Sequence, residues 1–273
     1  MTDRYAVIGH PIAQSKSPAL HTAFARETGQ DMAYTAILAP LDGFGACVRA
    51  FQSESGRGLN VTMPFKLEAF ALANELTPRA QAAGAVNTLS FHADGSISGD
   101  NTDGVGIVRD ITLNLGRPLA GARVLLLGAG GAVRGALMPL LEAGPREIFI
   151  ANRTAARADE LAAGFRPEAG AAHLHGGGFD DIEGAFDIII NGSASSMTDD
   201  VPPLPATVWG PRTLAYDMAY KPTLTPFLCF ARDAGADAYA DGLGMLVEQG
   251  AESFFVWRGV RPDTAPVIRA LRG

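Results

Sequence analysis

The chain has 273 residues, 47% of them hydrophobic, with 22 basic and 29 acidic residues for a formal charge of −7. That length exceeds what one compact core usually holds, so two domains are expected. The acidic balance excludes a nucleic-acid surface, which needs a basic face, and no apolar run approaches the roughly 20 residues of a membrane-spanning helix.

The first residues, Met1-Thr2-Asp3-Arg4-Tyr5, lead straight into a strand at Tyr5 to Ile8 without the charged and apolar regions of a signal peptide, so a cytoplasmic location is expected. A helix is predicted from Ser17-Pro18, where Ser suits the N-cap and Pro the first turn, and it ends at Gly29. A strand at Ala33 to Leu38, an amphipathic helix carrying Phe44, Val48 and Phe51, a strand at Leu59 to Thr62 and a helix from about Phe65 to Leu76 continue an α/β layer pattern. Short strands at Asn87 to Phe91 and Ile97 to Gly99 flank the Asp94-Gly95 turn, and Asp103 to Leu115 reads as a helix crossing into a second domain.

From Arg123 the alternation begins again, with strands at Glu147 to Ala151, Phe186 to Asn191 and Thr213 to Asp217. Gly176-Gly177-Gly178 and the proline-rich stretch from Val201 to Pro205 are read as loops, and the chain after Asp241-Gly242 as helical to its end. The apolar face of that last stretch (Leu243, Leu246, Phe254, Trp257) is expected to pack back on the first domain. The fold class is therefore α/β in two domains, residues 1–102 with 243–273 for substrate and a Rossmann-type doubly wound domain over 103–242, with the chemistry in a cleft between the lobes. Cys47 and Cys229 fall in separate helical patterns and read as reduced core residues.

The second domain opens on the most informative motif. Val124 to Leu127 reads as a buried parallel strand, and Gly128-Ala129-Gly130-Gly131-Ala132 is a glycine turn into a helix whose first N–H groups suit a pyrophosphate. Val133 occupies the place of the third glycine of the strict pattern. About 20 residues on, an NAD site usually carries Asp or Glu; here stand Asn152-Arg153-Thr154. A carboxylate repels a 2′-phosphate, whereas a guanidinium binds it with hydrogen bonds worth about 1.5–3 kcal/mol each, so NADP is the expected cofactor.

Four segments of the first domain are polar where strands end or helices begin. Gly9 to Pro18 offers the hydroxyls of Ser15 and Ser17 with helix N–H groups, a neutral cradle for a small carboxylate, with Ser17 alternatively no more than a cap. Asn60 to Lys66 turns at Pro64 and throws Lys66 into the first turn of a helix, an unfavourable place for a cation that suits a proton donor or acceptor. Lys66 is also one of only three lysines, with Lys16 and Lys221, in a chain that otherwise writes Arg. The remaining two segments are Gly84 to Thr88 and Gly99 to Gly104, where Asp103 in its plainest role is a helix cap.

Taken in order, Ser15-Lys16-Ser17-Pro18, Asn60 to Lys66, Gly84 to Thr88, Gly99 to Gly104, Gly128 to Ala132, Asn152-Arg153-Thr154, Tyr216 to Tyr220 and Asp241 to Gln249 resemble the NADP-dependent shikimate 5-dehydrogenase family, from Val7 to about Val267. The resemblance implies reduction of 3-dehydroshikimate to shikimate, in the supply of aromatic amino acids and chorismate. It implies that Lys66 and Asp103 form the catalytic pair. Ser15 and Ser17 would hold the substrate carboxylate, and Thr62, Asn87, Tyr220 and Gln249 its hydroxyls or carboxylate. Gly128, Ala129, Gly130, Gly131 and Ala132 would take the pyrophosphate, with Asn152, Arg153, Thr154 and Arg157 around the ribose phosphate and Met218 and Gly242 against the nicotinamide. His10 and Gln14 depart from the pattern of a familiar relative and receive no catalytic part, and Pro78 stands where some relatives carry an acid. No metal site is expected, His173 and His175 having ligand-like spacing without a third ligand. The rival readings are a quinate/shikimate dehydrogenase using NAD or a broader substrate range, and an NADP-binding regulatory protein without turnover. The partner is a small molecule, not a membrane or nucleic acid, and a homodimer is left open.

Overall fold

The computed structural model describes residues 2–193 and 200–272. Contacts divide the chain into two units, Met1–Gly106 with Val247–Gly273, and Ile107–Leu246. The chain passes from one to the other inside helices α5 (Asp103–Arg109, continued by a π-helical turn Asp110–Asn114) and α9 (Leu243–Arg258).

The first unit is built on β1 (Asp3–Gly9), β2 (Met32–Leu38), β3 (Gly56–Val61), β4 (Glu75–Leu76), β5 (Thr88–Phe91) and β6 (Ile97–Asp100), in the order β2-β1-β3-β5-β6-β4. The first three pair in parallel, so their connections are helices: α1 (Ser17–Thr28) and α2 (Phe44–Ser53). β5 and β6 form the antiparallel hairpin around Asp94-Gly95. Ala6, Ile8, Leu59, Val61, Phe44, Phe65 and Leu89 fill one side of this sheet and are each at most 2% exposed. Against α1 pack Val247, Ala251 and Phe254 of α9, with Val267, Ile268 and Leu271 of α10 (Ala265–Arg272) alongside, whereas Leu243 and Leu246, at the start of α9, fall in the second unit.

Two segments of this unit depart from the expected elements. In place of one helix from Phe65 to Leu76 the chain forms α3 (Lys66–Leu72), the short β4 and then α4 (Pro78–Ala83). Asn74 exchanges hydrogen bonds with Ile97 through its backbone N–H and its side-chain oxygen, which draws the chain out of the helix and onto β6. Pro78 then keeps Thr77 extended and starts α4 from a Thr77 cap. The C-terminal stretch is likewise two helices, because Gly259 takes a left-handed φ of 68° and closes α9.

The second unit carries β7 (Arg123–Leu127), β8 (Glu147–Ala151), β9 (His173–Gly177), β10 (Phe186–Asn191), β11 (Trp209–Asp217) and β12 (Ala238–Asp241), joined through α6 (Gly131–Glu142), α7 (Ala155–Gly164) and α8 (Pro226–Asp233) among other segments. All pair in parallel in the order β12-β11-β10-β7-β8-β9, the doubly wound arrangement of a Rossmann fold. The direction of winding reverses between β7 and β10, where such folds place their ligand. Gly176 and Gly177, expected in a loop, are the end of β9. A Cβ on Gly176 would lie 2.3 Å from the Ala158 carbonyl carbon, so the glycine is there to let the strand touch α7. β12 was not foreseen; its four residues give too short a pattern to separate from a loop.

Candidate active site

In the first unit the polar segments meet at the carboxyl ends of β1 and β3. The His10 N–H donates to the Met63 carbonyl and the Thr62 N–H to that of Ile8, so the loop carrying Ser15 and Ser17 runs beside the one carrying Thr62 to Lys66. His10 is a structural member of this rim, its Nδ1 lying 2.8 Å from the Ala39 carbonyl oxygen. Ser17 is the first residue of α1, not its cap. The capping-type contact comes instead from Ser15, whose Oγ accepts the Ser17 N–H at 3.3 Å, although its place ahead of the helix suggests no capping role.

Lys66 opens α3 and its Nζ donates to Oδ2 of Asp103 at 2.5 Å. Both side chains are partly exposed, at 32% and 21%, so the pair is open to a ligand and not sealed in the core. Asp103 stands at the start of α5, and its other oxygen accepts the Asn87 amide at 2.8 Å. Asn87 is 3% exposed and is the hub of the site. Its Nδ2 also reaches Thr102 Oγ1 at 3.0 Å and Gln249 Oε1 at 3.4 Å, while its Oδ1 accepts the Thr102 N–H at 2.9 Å and the Thr88 hydroxyl at 2.8 Å. The Val86 N–H donates to the Lys66 carbonyl, tying the Gly84 to Thr88 segment to α3. Lys66, Asn87, Asp103 and Gln249 are thus drawn together, although 183 positions separate the first from the last.

A layer behind this group was not anticipated. Tyr34 donates to Asn60 Oδ1 at 2.6 Å, and Asn60 reaches Thr88 Oγ1 at 3.3 Å, so a buried chain of polar side chains backs Asn87. Asn101 accepts the Asp103 N–H and donates to the Ala85 carbonyl, which fixes the approach to α5. Polar residues in the middle or at the end of otherwise apolar strands were the available signal, since a buried amide or hydroxyl must find a partner.

In the second unit the expected cofactor residues gather at the carboxyl ends of the strands. Gly128 follows β7 with φ of 103°, a conformation suited to glycine, and a Cβ there would lie 3.1 Å from the Ser193 backbone. Gly130 and Gly131 have open space where a Cβ would stand, and Gly131 begins α6, so its turn leaves room for a close anionic ligand. Gly128, Ala129, Gly130, Asn152, Arg153 and Arg157 line one cavity of about 620 Å³. Ala132 is exposed on the first turn of α6, and Thr154 precedes α7, on which Arg157 projects one turn later. Val133 is fully buried, and a Cβ on Gly192 would come within 2.7 Å of it, so this departure from the glycine pattern is absorbed by a glycine elsewhere.

Met218 and Gly242 also meet: a Cβ on Gly242 would lie 2.1 Å from the Met218 carbonyl oxygen. Tyr220 lies in this second unit, 38% exposed, its phenol pushed above the ordinary range by burial and then by the negative charge of Asp241. Ser193 and Gly192, lining the same cavity as the glycine turn, were missed; the small polar run after the apolar β10 was the sign. His175 pairs with Glu147 at 3.3 Å and sets its ring edge against Phe149.

Comparison with known proteins fits this arrangement. Residues 7–89 match the shikimate dehydrogenase substrate binding domain, residues 111–198 the shikimate / quinate 5-dehydrogenase domain, and residues 242–272 the shikimate 5′-dehydrogenase C-terminal domain. The shikimate dehydrogenase (NADP(+)) of Aromatoleum aromaticum is 58% identical over 99% of this chain and 97% of its own length. The chain belongs to the shikimate dehydrogenase family. The shikimate dehydrogenase (NADP(+)) of Methylobacillus flagellatus is also 58% identical, over 99% of both chains. Among solved structures, an Ael1 enzyme from Pseudomonas putida superposes with a TM-score of 0.92 at 53% identity, covering 99% of this chain and 98% of that one. The shikimate 5-dehydrogenase from Thermus thermophilus in complex with NADP(H) and shikimate does so with a TM-score of 0.84 at 34% identity over 99% of both. No helix among the described residues is long and apolar enough to cross a membrane.

Proposed function

We propose that this chain interconverts 3-dehydroshikimate and shikimate with NADP(H), Lys66 and Asp103 handling the proton. One observation carries the reading: the Lys66–Asp103 ion pair, 2.5 Å apart and partly open, held by Asn87 in a chain 58% identical throughout to dehydrogenases of that name.

The residues fit the cofactor. The open space at Gly130 and Gly131 admits a pyrophosphate to the helix N-terminus, and Arg153 and Arg157 supply positive charge in the same cavity where an NAD site has an acid. When bound, NADPH supplies the hydride that reduces the ketone carbon.

The chain supplies the proton and the geometry. Charge develops on the substrate oxygen as the carbonyl is reduced, and Lys66 Nζ answers it twice, as a nearby cation and as the proton donor. In the oxidative direction the same amine takes the proton from the hydroxyl. Asp103 holds the ammonium, and Asn87 holds Asp103 by its second oxygen, so the donor is oriented before substrate arrives. Ser15 and Ser17 take the substrate carboxylate; Thr62, Asn87, Gln249 and Tyr220 take its remaining oxygens. The two unpaired cysteines, Cys47 and Cys229, suit a reducing cytoplasm.

Incubation of the protein with shikimate and NADP, following nicotinamide absorbance, tests the proposal, with parallel runs on quinate and on NAD. Turnover confined to shikimate with NADP supports it. Preference for quinate or NAD supports the broader relative instead, and tight NADP binding without any turnover a regulatory protein.

A further inference from the structure

We infer that Arg79 is a positioning residue, a clamp that sets Asp103 and Gln249 relative to each other. It rests on the reading that these two residues serve the reaction.

Arg79 lies in the first turn of α4 and touches neither of them. Its Nε donates to Asp100 Oδ1 at 2.7 Å and its Nη2 to Asp100 Oδ2 at 2.6 Å, while Nη1 donates to Glu252 Oε1 at 2.9 Å. Asp100 ends β6, three residues before Asp103, and is 5% exposed. Glu252 stands on α9 three residues beyond Gln249, on the same helix face, and is 7% exposed. One planar guanidinium therefore joins the strand end that leads to the proposed catalytic carboxylate and the helix that carries the proposed substrate amide.

The surroundings show how the hold is passed on. Asp100 Oδ1 also accepts the Asn101 N–H at 2.7 Å and the Thr77 hydroxyl at 2.6 Å, and its backbone carbonyl accepts the Asn87 N–H. Asn101 in turn accepts the Asp103 N–H at 3.2 Å. On the other side Glu252 Oε2 accepts Arg261 at 2.5 Å, so the glutamate cannot swing to follow a displaced Arg79. A two-pronged guanidinium bond fixes a carboxylate in rotation as well as distance, which a lysine in the same place cannot do. Buried ion networks contribute little net stability but can specify one arrangement over others. Asp103 and Gln249 both accept from the Asn87 side-chain nitrogen, so a displacement of either flank would spread the site.

The test separates the two flanks. Asp100→Asn loosens the hold on the Asp103 side and Glu252→Gln that on the Gln249 side, each without changing side-chain volume. In assays with shikimate and NADP, Asp100→Asn should lower kcat by about 10-fold to 100-fold, with the shikimate KM within about threefold of the parent. Glu252→Gln should raise that KM by about fivefold or more and leave kcat nearly intact. Arg79→Lys should show both effects, and Arg79→Met more strongly if it folds. A clamp that only stabilises the fold would lower thermal midpoints while kcat and KM stayed within twofold in every folded variant, or would scale all variants alike. Either result overturns the inference. Hydrogen exchange of the amides at 101–103 reads the same clamp without turnover: they should exchange faster in Asp100→Asn and at the parent rate in Glu252→Gln. Equal protection in both variants contradicts the clamp even if the parent proves inactive on shikimate, a result that would count against the function and not against the clamp.

Discussion

Lys66 and Asp103, 37 positions apart in the chain, are joined by a 2.5 Å hydrogen bond, and Asp103 has its second oxygen committed to Asn87 at 2.8 Å. The carboxylate thus orients the ammonium and is itself oriented. Asp103→Asn keeps the size and a hydrogen-bonding oxygen but removes the charge that holds the ammonium. Turnover of shikimate should fall by about 10²-fold, with secondary structure by circular dichroism unchanged.

The cofactor preference should reside in the arginines after β8. Arg153→Ala removes one guanidinium from the cavity and should weaken NADP binding by about tenfold or more while leaving NAD binding nearly unchanged. Arg153→Glu should go further and favour NAD. Calorimetric titration of both dinucleotides decides it; equal losses for the two would show that Arg153 does not read the 2′-phosphate.

Close packing at β9 gives a prediction about stability alone. Gly176→Ala places a methyl 2.3 Å from the Ala158 carbonyl carbon, backbone that cannot step aside as a side-chain tip would. The cost should be about 3 kcal/mol, at the upper end of ordinary overpacking, seen as a lower denaturant midpoint. The shikimate KM should not move.

Acid should weaken the first unit through His21. Burial between Tyr34, Phe24 and Phe254 holds its imidazole down to about 3 from 6.5, against a smaller opposing pull from Asn60. Because the folded value is depressed, the unfolded chain binds a proton first as pH falls, and stability is lost progressively between pH 6.5 and about 3. At pH 5 the loss should be about 2 kcal/mol relative to neutral pH, since each pH unit below the unfolded value costs about 1.36 kcal/mol. His21→Phe should flatten that part of the curve in urea denaturation; an unchanged slope would mean that another group sets it.

Much of this was legible in the residues because the signals were local. The glycine turn, the buried run before it and Asn152-Arg153 each state a requirement of one ligand, and the fold places them at the ends of neighbouring strands. Lys66 could be singled out by its misplaced charge at a helix start. What the sequence withheld was relational. Nothing in Thr77-Pro78-Arg79 points to Asp100 or to Glu252, 173 residues further on, and the pairing that makes Asn74 leave its helix is visible only once β6 lies beside it. Ser15 and Ser17 show the same limit, since which of two hydroxyls serves the helix depends on a backbone angle and not on residue type.

The central claim is that one amine moves the proton, and Lys66→Ala is its most direct test. Steady-state rates with shikimate and NADP should fall by about 10²-fold to 10⁴-fold, or about 3–5 kcal/mol in the barrier, with the shikimate KM little changed. A folded Lys66→Ala protein that keeps near-normal turnover would contradict the account.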